Sequence, residues 1–69
     1  MFNRGQLVTT RKQFDGMSLW SQEGGKIWEE KMDSGRLYVV IDDSMMSTRI
    51  VMESSGKVYS LFLEFLAAA

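Results

Sequence analysis

One stretch constrains this chain more than any other: the β-forming run Arg36-Leu37-Tyr38-Val39-Val40-Ile41-Asp42, the acidic turn Asp43-Ser44-Met45-Met46, and a second strand ending at Met52. Branched and aromatic side chains suit a pleated, half-buried surface far better than a helix. Leu37, Val39 and Ile41 alternate with Tyr38 and Val40, so both faces of the first run are apolar. Such a strand lies in the middle of a sheet or at an interface.

Turn signals divide the rest into strand-sized pieces. Asp15-Gly16, Glu23-Gly24-Gly25, Asp33-Ser34-Gly35 and Ser54-Ser55-Gly56 each supply a glycine where the backbone reverses. Between them the alternation predicts five strands, over residues 7–14, 26–32, 36–42, 47–53 and 57–63. The first two are half polar. The fourth sets Thr48, Ile50 and Met52 against Arg49, Val51 and Glu53, and the fifth sets Val58 and Phe62 against Tyr59, Leu61 and Leu63. Glu64-Phe65-Leu66 extends the fifth strand or turns once as a short helix, and no long window keeps a 3.6-residue period. The expected fold is all-β: one domain over residues 1–69, a small, strongly bent, five-stranded antiparallel barrel with room for a short helical turn at either end.

A domain of 69 residues buries only ~60% of its unfolded surface, so small folds usually need a supplement to the core. The chain has no Cys and no His, which excludes disulfides and the usual zinc ligands. Self-association is the supplement left, and Tyr38, Val40, Tyr59, Leu61 and Leu63 are the expected homo-oligomer interface because the chain is too short to bury both faces of its strands. The N-terminus has no apolar run of signal-peptide length and no segment approaches a membrane span, which leads to the expectation of a cytoplasmic protein.

Without His or Cys there is no Ser-His pair or thiolate, and Gly24-Gly25-Lys26 lacks the flanking spacing of a phosphate loop, so no enzyme and no cofactor are expected. Glu29-Glu30 and Asp42-Asp43 converge on a hard cation only if they sit in turns, and a turn that hydrogen-bonds its own backbone accounts for Asp42-Asp43 more simply. No metal site is expected. A net charge of −1 rules out a protein that tracks a phosphate backbone with its whole surface. A local nucleic-acid site would combine exposed rings with cations. Its candidates are Trp20, Trp28 and Tyr38 with Arg36, Arg49, Lys57 and Arg11-Lys12, set against the alternative that these rings fill a small core.

Gly35, Leu37, Asp42, Met45 and the strand from Thr48 to Met52 resemble the first signature of the Sm/LSm-like RNA-binding rings. Met46 stands where that family has its base-contacting Asn, and Ser55-Gly56-Lys57 replaces the second signature's Arg-Gly. The resemblance implies a homo-oligomeric ring binding RNA or single-stranded DNA. Its pore loop would then run from Asp42 to Ser47, with Asp43, Ser44 and Ser47 at base edges, Met45 under the loop or against a base, and Arg36, Arg49, Lys57 and Trp20 in support. Met45 and Met46 would equally serve to plug the barrel end. A second resemblance, to the Src-homology-3-like barrel, takes Gly5-Gln6-Leu7-Val8 as the opening of the first strand, residues 15–35 as a long variable loop, and then three meander strands. It implies a protein-protein interaction module. The opening Phe-x-x-Gly-x-Leu-Val is also similar to small barrels of phage and marine environmental proteins, which implies a host-cell cytoplasmic setting and a host or virion partner.

Overall fold

The structure, a computed structural model, describes residues 1–23 and 25–69 and, within its second strand, side chains as far as Ser21. Among the described residues it is all-β, with seven strands: β1 (Leu7–Thr10), β2 (Ser18–Glu23), β3 (Lys26–Lys31), β4 (Tyr38–Asp42), β5 (Thr48–Glu53), β6 (Val58–Phe62) and β7 (Leu66–Ala68). Short 3-10 helices cover Lys12–Phe14 and Leu63–Phe65. The five-stranded sheet runs β6-β5-β4-β1-β7, every neighbour antiparallel, and β2 and β3 form a separate hairpin. The ladders therefore make two sheets. Among the described residues no helix is long and apolar enough to cross a membrane.

The β4-β5-β6 meander lies where the alternation places it, two residues shorter at its first strand. Its turn between β5 and β6 uses Gly56 at φ +92°, a region that glycine enters without steric penalty. Three elements differ from expectation. The first strand stops at Thr10, and Lys12–Phe14 coils into a 3-10 turn whose Phe14 ring meets Phe65 edge-on at 4.7 Å. Residues 18–23 form a strand, because β3 supplies a pairing partner for the polar segment around Trp20. The neck of this hairpin is closed by Gly16 N–H to Met32 O (2.9 Å) and Met32 N–H to Met17 O (2.7 Å). The expected turn at Glu23-Gly24-Gly25 falls on Gly24, outside the described residues. At the other end, Leu66–Ala68 returns to pair with β1 through Thr10↔Leu66 and Val8↔Ala68.

The core consists of Val8, Leu19, Met32, Tyr38, Val40, Val51, Tyr59, Leu61 and Leu66, each at most 4% exposed. Val40, Val51 and Tyr59 are direct cross-strand partners, and the Tyr38 and Tyr59 rings meet edge-on at 5.8 Å. Four of the five residues expected at an oligomer interface, Tyr38, Val40, Tyr59 and Leu61, are thus inside the protomer, and Leu63 packs half-buried against the same cluster. The correction has a simple cause. The β2-β3 hairpin folds onto β6, with the buried Ser21 hydroxyl donating to Val58 O at 2.6 Å, and this extra layer covers the face that five strands alone would leave open.

Candidate functional site

Four of the cations expected to meet phosphate, Arg11, Arg36, Arg49 and Lys57, are engaged inside the chain. Glu30, on the inward face of β3, accepts from both Arg36 and Lys57, and Arg36 also lies 3.9 Å from Glu53. Lys57 stands 5.4 Å above the Trp28 ring, close enough for a cation-π contact. This cluster brings together groups up to 27 residues apart and closes one end of the hairpin against the meander. The hydrogen bond from Lys57 holds the Glu30 carboxyl below its ordinary value of 4.5, against the opposing pull of burial. Burial, and after it the Glu30 carboxylate, push the Tyr59 hydroxyl far upward.

Glu30 therefore contributes stability that is present above its unfolded value and is lost as pH falls through the lowered folded value. Glu30→Gln is expected to destabilise the domain by on the order of 1 kcal/mol at neutral pH, a modest figure because Arg36 and Lys57 are about one-third exposed. The difference between wild type and variant in urea unfolding should shrink as pH falls below 4.5. A pH-independent difference would contradict this role for the carboxylate.

Arg49 is likewise a structural clamp. Its Nε donates to Phe2 O (2.8 Å) and its terminal nitrogens donate to Met45 O, Thr48 O and Met1 O at 2.7, 2.8 and 3.1 Å. The loop from Asp42 to Ser47 folds around this guanidinium. Asp42 Oδ1 accepts from Ser44 N–H (2.8 Å), the Ser44 side chain first and this backbone bond second hold the Asp42 carboxyl low, and Asp43 Oδ2 accepts from Arg4 N–H (3.0 Å). Ser47 O accepts from Leu63 N–H (3.0 Å), tying the loop to the end of β6. Asp42 thus forms the turn and Asp43 ties it to the N-terminal segment, and no group of three or more metal-binding side chains occurs among the described residues. Arg11 donates from Nε to Leu66 O at 3.1 Å. Tyr38 is too deeply buried to stack on a base.

Trp20 is different. It sits on the outward face of β2, 58% exposed, directly across the ladder from Glu29. Beside it an open groove of about 240 Å³ runs along the seam between β2 and β6, lined by Met17, Leu19, Trp20, Met32, Phe62 and Phe65 among others. A second groove, on the far side of Phe62, is lined by Met46, Ser47, Phe62, Leu63 and Glu64. Phe62 is the wall common to both and is 54% exposed, while Met46 stands almost wholly in solvent at 94%. The result is a contiguous apolar strip, Met17, Trp20, Phe62 and Met46, with Glu29 and Glu64 at its rim. Of these residues the sequence reading had singled out Trp20 and the Met45-Met46 pair. Phe62 was legible only as lying on the face opposite Leu61, and Met17 emerges only once the hairpin is docked.

Comparison with known proteins returns no match: no family model covers the chain, and no curated protein and no solved structure is significantly similar to it.

Proposed function

We propose that this chain is a non-catalytic protein-interaction module that holds an extended, apolar segment of a partner protein across the strip from Met17 to Met46. The observation that carries this reading is the pair of adjoining grooves around Phe62, with Trp20 on one side and Met46 on the other. Large exposed apolar groups arranged contiguously mark interaction sites, whereas scattered ones do not. Aromatic-lined grooves recognise extended peptides because such segments lose little further entropy on binding. Glu64 at the rim favours a segment that also carries a Lys or Arg.

The order of elements supports a Src-homology-3-like module: one strand, a long excursion over residues 15–35, and three consecutively paired strands. The nucleic-acid reading has less to draw on. Arg36, Lys57 and Arg49, its three main cations, already meet carboxylates or carbonyl oxygens of the same chain.

The test is a titration of short, extended, cation-bearing apolar peptides, with mixed-sequence single-stranded oligonucleotides as a parallel arm at ~50 mM salt, where electrostatic binding is favoured. Trp20→Ala and Phe62→Ala should each raise the peptide Kd by about 30-fold, the size of a hot-spot loss of ~2 kcal/mol, with unchanged unfolding midpoints. Peptide binding indifferent to both variants would overturn the proposed strip. Oligonucleotide binding without peptide binding would return the nucleic-acid reading to first place.

A further inference from the structure

The outer face of the large sheet carries a second apolar surface, distinct from the strip just described. Leu7, Val39, Met52 and Val58 are successive cross-strand partners through β1, β4, β5 and β6, so their side chains form one row across four strands. Leu37, two residues before Val39, extends the row on the same side. Leu7 and Leu37 are 56% and 55% exposed, and Met52 and Val58 are also solvent-exposed. No charged residue belongs to the row. The nearest charges are paired within the chain: Glu53, which borders the recess beside the row, lies 3.9 Å from Arg36, and Lys57 is bound to Glu30.

We infer that this face docks against the same face of a second copy of the chain, making a two-fold dimer. A two-fold interface must be complementary to itself, which demands projections and recesses within a single patch. Both are here. Leu7 and Leu37 project, and beside them lies an apolar recess of about 340 Å³ lined by Leu7, Leu37, Val39, Met52 and Gly56 among others. The recess has room for a leucine side chain from the partner copy. The charge pattern fits the same occupant, because a charged row would face its own sign across the two-fold axis, whereas an uncharged row carries no such penalty.

Sedimentation and light scattering across a dilution series are expected to give a mass twice the 7.9 kDa protomer at high concentration, with dissociation in the micromolar range or tighter. Thermal midpoints should rise with protein concentration, since dimerisation stabilises the folded state by mass action. Leu37→Lys should raise the dimer dissociation constant at least tenfold and abolish that concentration dependence, while Trp20→Ala leaves both unchanged. As an independent readout, dilution should shift the methyl resonances of Leu7, Leu37, Val39, Met52 and Val58 and leave those of Met17 and Met46 in place. A wild-type chain that stays monomeric throughout would overturn the inference and leave this face to a different protein. A dimer that survives Leu37→Lys, or a larger closed ring, would also overturn it.

Discussion

Leu66→Ala should leave the domain on the edge of unfolding. Leu66 is the one fully buried side chain of β7, a strand of three residues whose other members are Ala67 and Ala68. It belongs to the core cluster, its backbone pairs with Thr10 of the first strand, and its carbonyl holds Arg11. Truncating a buried leucine costs about 2–5 kcal/mol, through lost transfer energy and the cavity left behind. A chain of 69 residues has a total stability of roughly 3–10 kcal/mol at the usual per-residue range. The substitution should therefore remove a large share of it, lowering the urea midpoint by half or more when followed by tryptophan fluorescence. Leu37→Ala is the matched control, because Leu37 is exposed in the protomer; its effect on a dilute sample should stay within about 0.5 kcal/mol. Equal losses at the two positions would contradict the assignment of inside and outside.

Arg49→Ala should cost about 2 kcal/mol, more than an ordinary surface substitution, because the guanidinium serves four carbonyl oxygens from two separate segments. One of these belongs to Phe2, whose φ of +51° lies in the left-handed region that side chains enter at a cost of roughly 1–2 kcal/mol. Releasing Phe2 O lets that residue relax and detaches the N-terminal segment from the β4-β5 loop. Arg49→Lys should recover little of the loss, since a single ammonium cannot span donors aimed at four oxygens. Amide exchange localises the effect: protection should fall at residues 1–6 and in the β4-β5 loop while the β5-β6 pairing persists. An unchanged unfolding midpoint in Arg49→Ala would show that the arginine is free for another task, and phosphate binding would regain its main cation.

Much of the meander was legible before any coordinates. Residues 38–62 alternate cleanly, their turns carry Gly, and β-branched residues suit the pleat, so β4, β5 and β6 fall within a residue or two of expectation. The opening strand was legible as far as Thr10. Its overextension to Phe14 arose because Phe14 continues the alternation, whereas the real Phe14 turns to meet Phe65, 51 positions later in the chain. Neither β2 nor β7 was fixed by the sequence, for a related reason. Ser18-Leu19-Trp20-Ser21 and Leu66-Ala67-Ala68 have weak strand character of their own, and each becomes a strand because a neighbour offers unpaired backbone groups.

The candidate sites divide along the same line. The turn role of Asp42 and the exposure of Trp20 rest on groups close in sequence and were open to inspection. The neutralisation of Arg36 and Lys57 by Glu30 was not, since it joins β3 to segments beyond it only after the hairpin docks.

By itself, then, the sequence determined the class of fold, the glycine-bearing turns and the two-faced apolar character of the central strand, because propensity and alternation act between residues a few positions apart. Only the tertiary structure decided which of those two faces is the inside. Alternation separates Tyr38 and Val40 from Leu37 and Val39 but assigns no direction to either set. That direction comes from the β2-β3 hairpin, which packs over β6 and buries Tyr38, Val40, Tyr59 and Leu61, leaving Leu7, Leu37, Val39 and Met52 on the outer face.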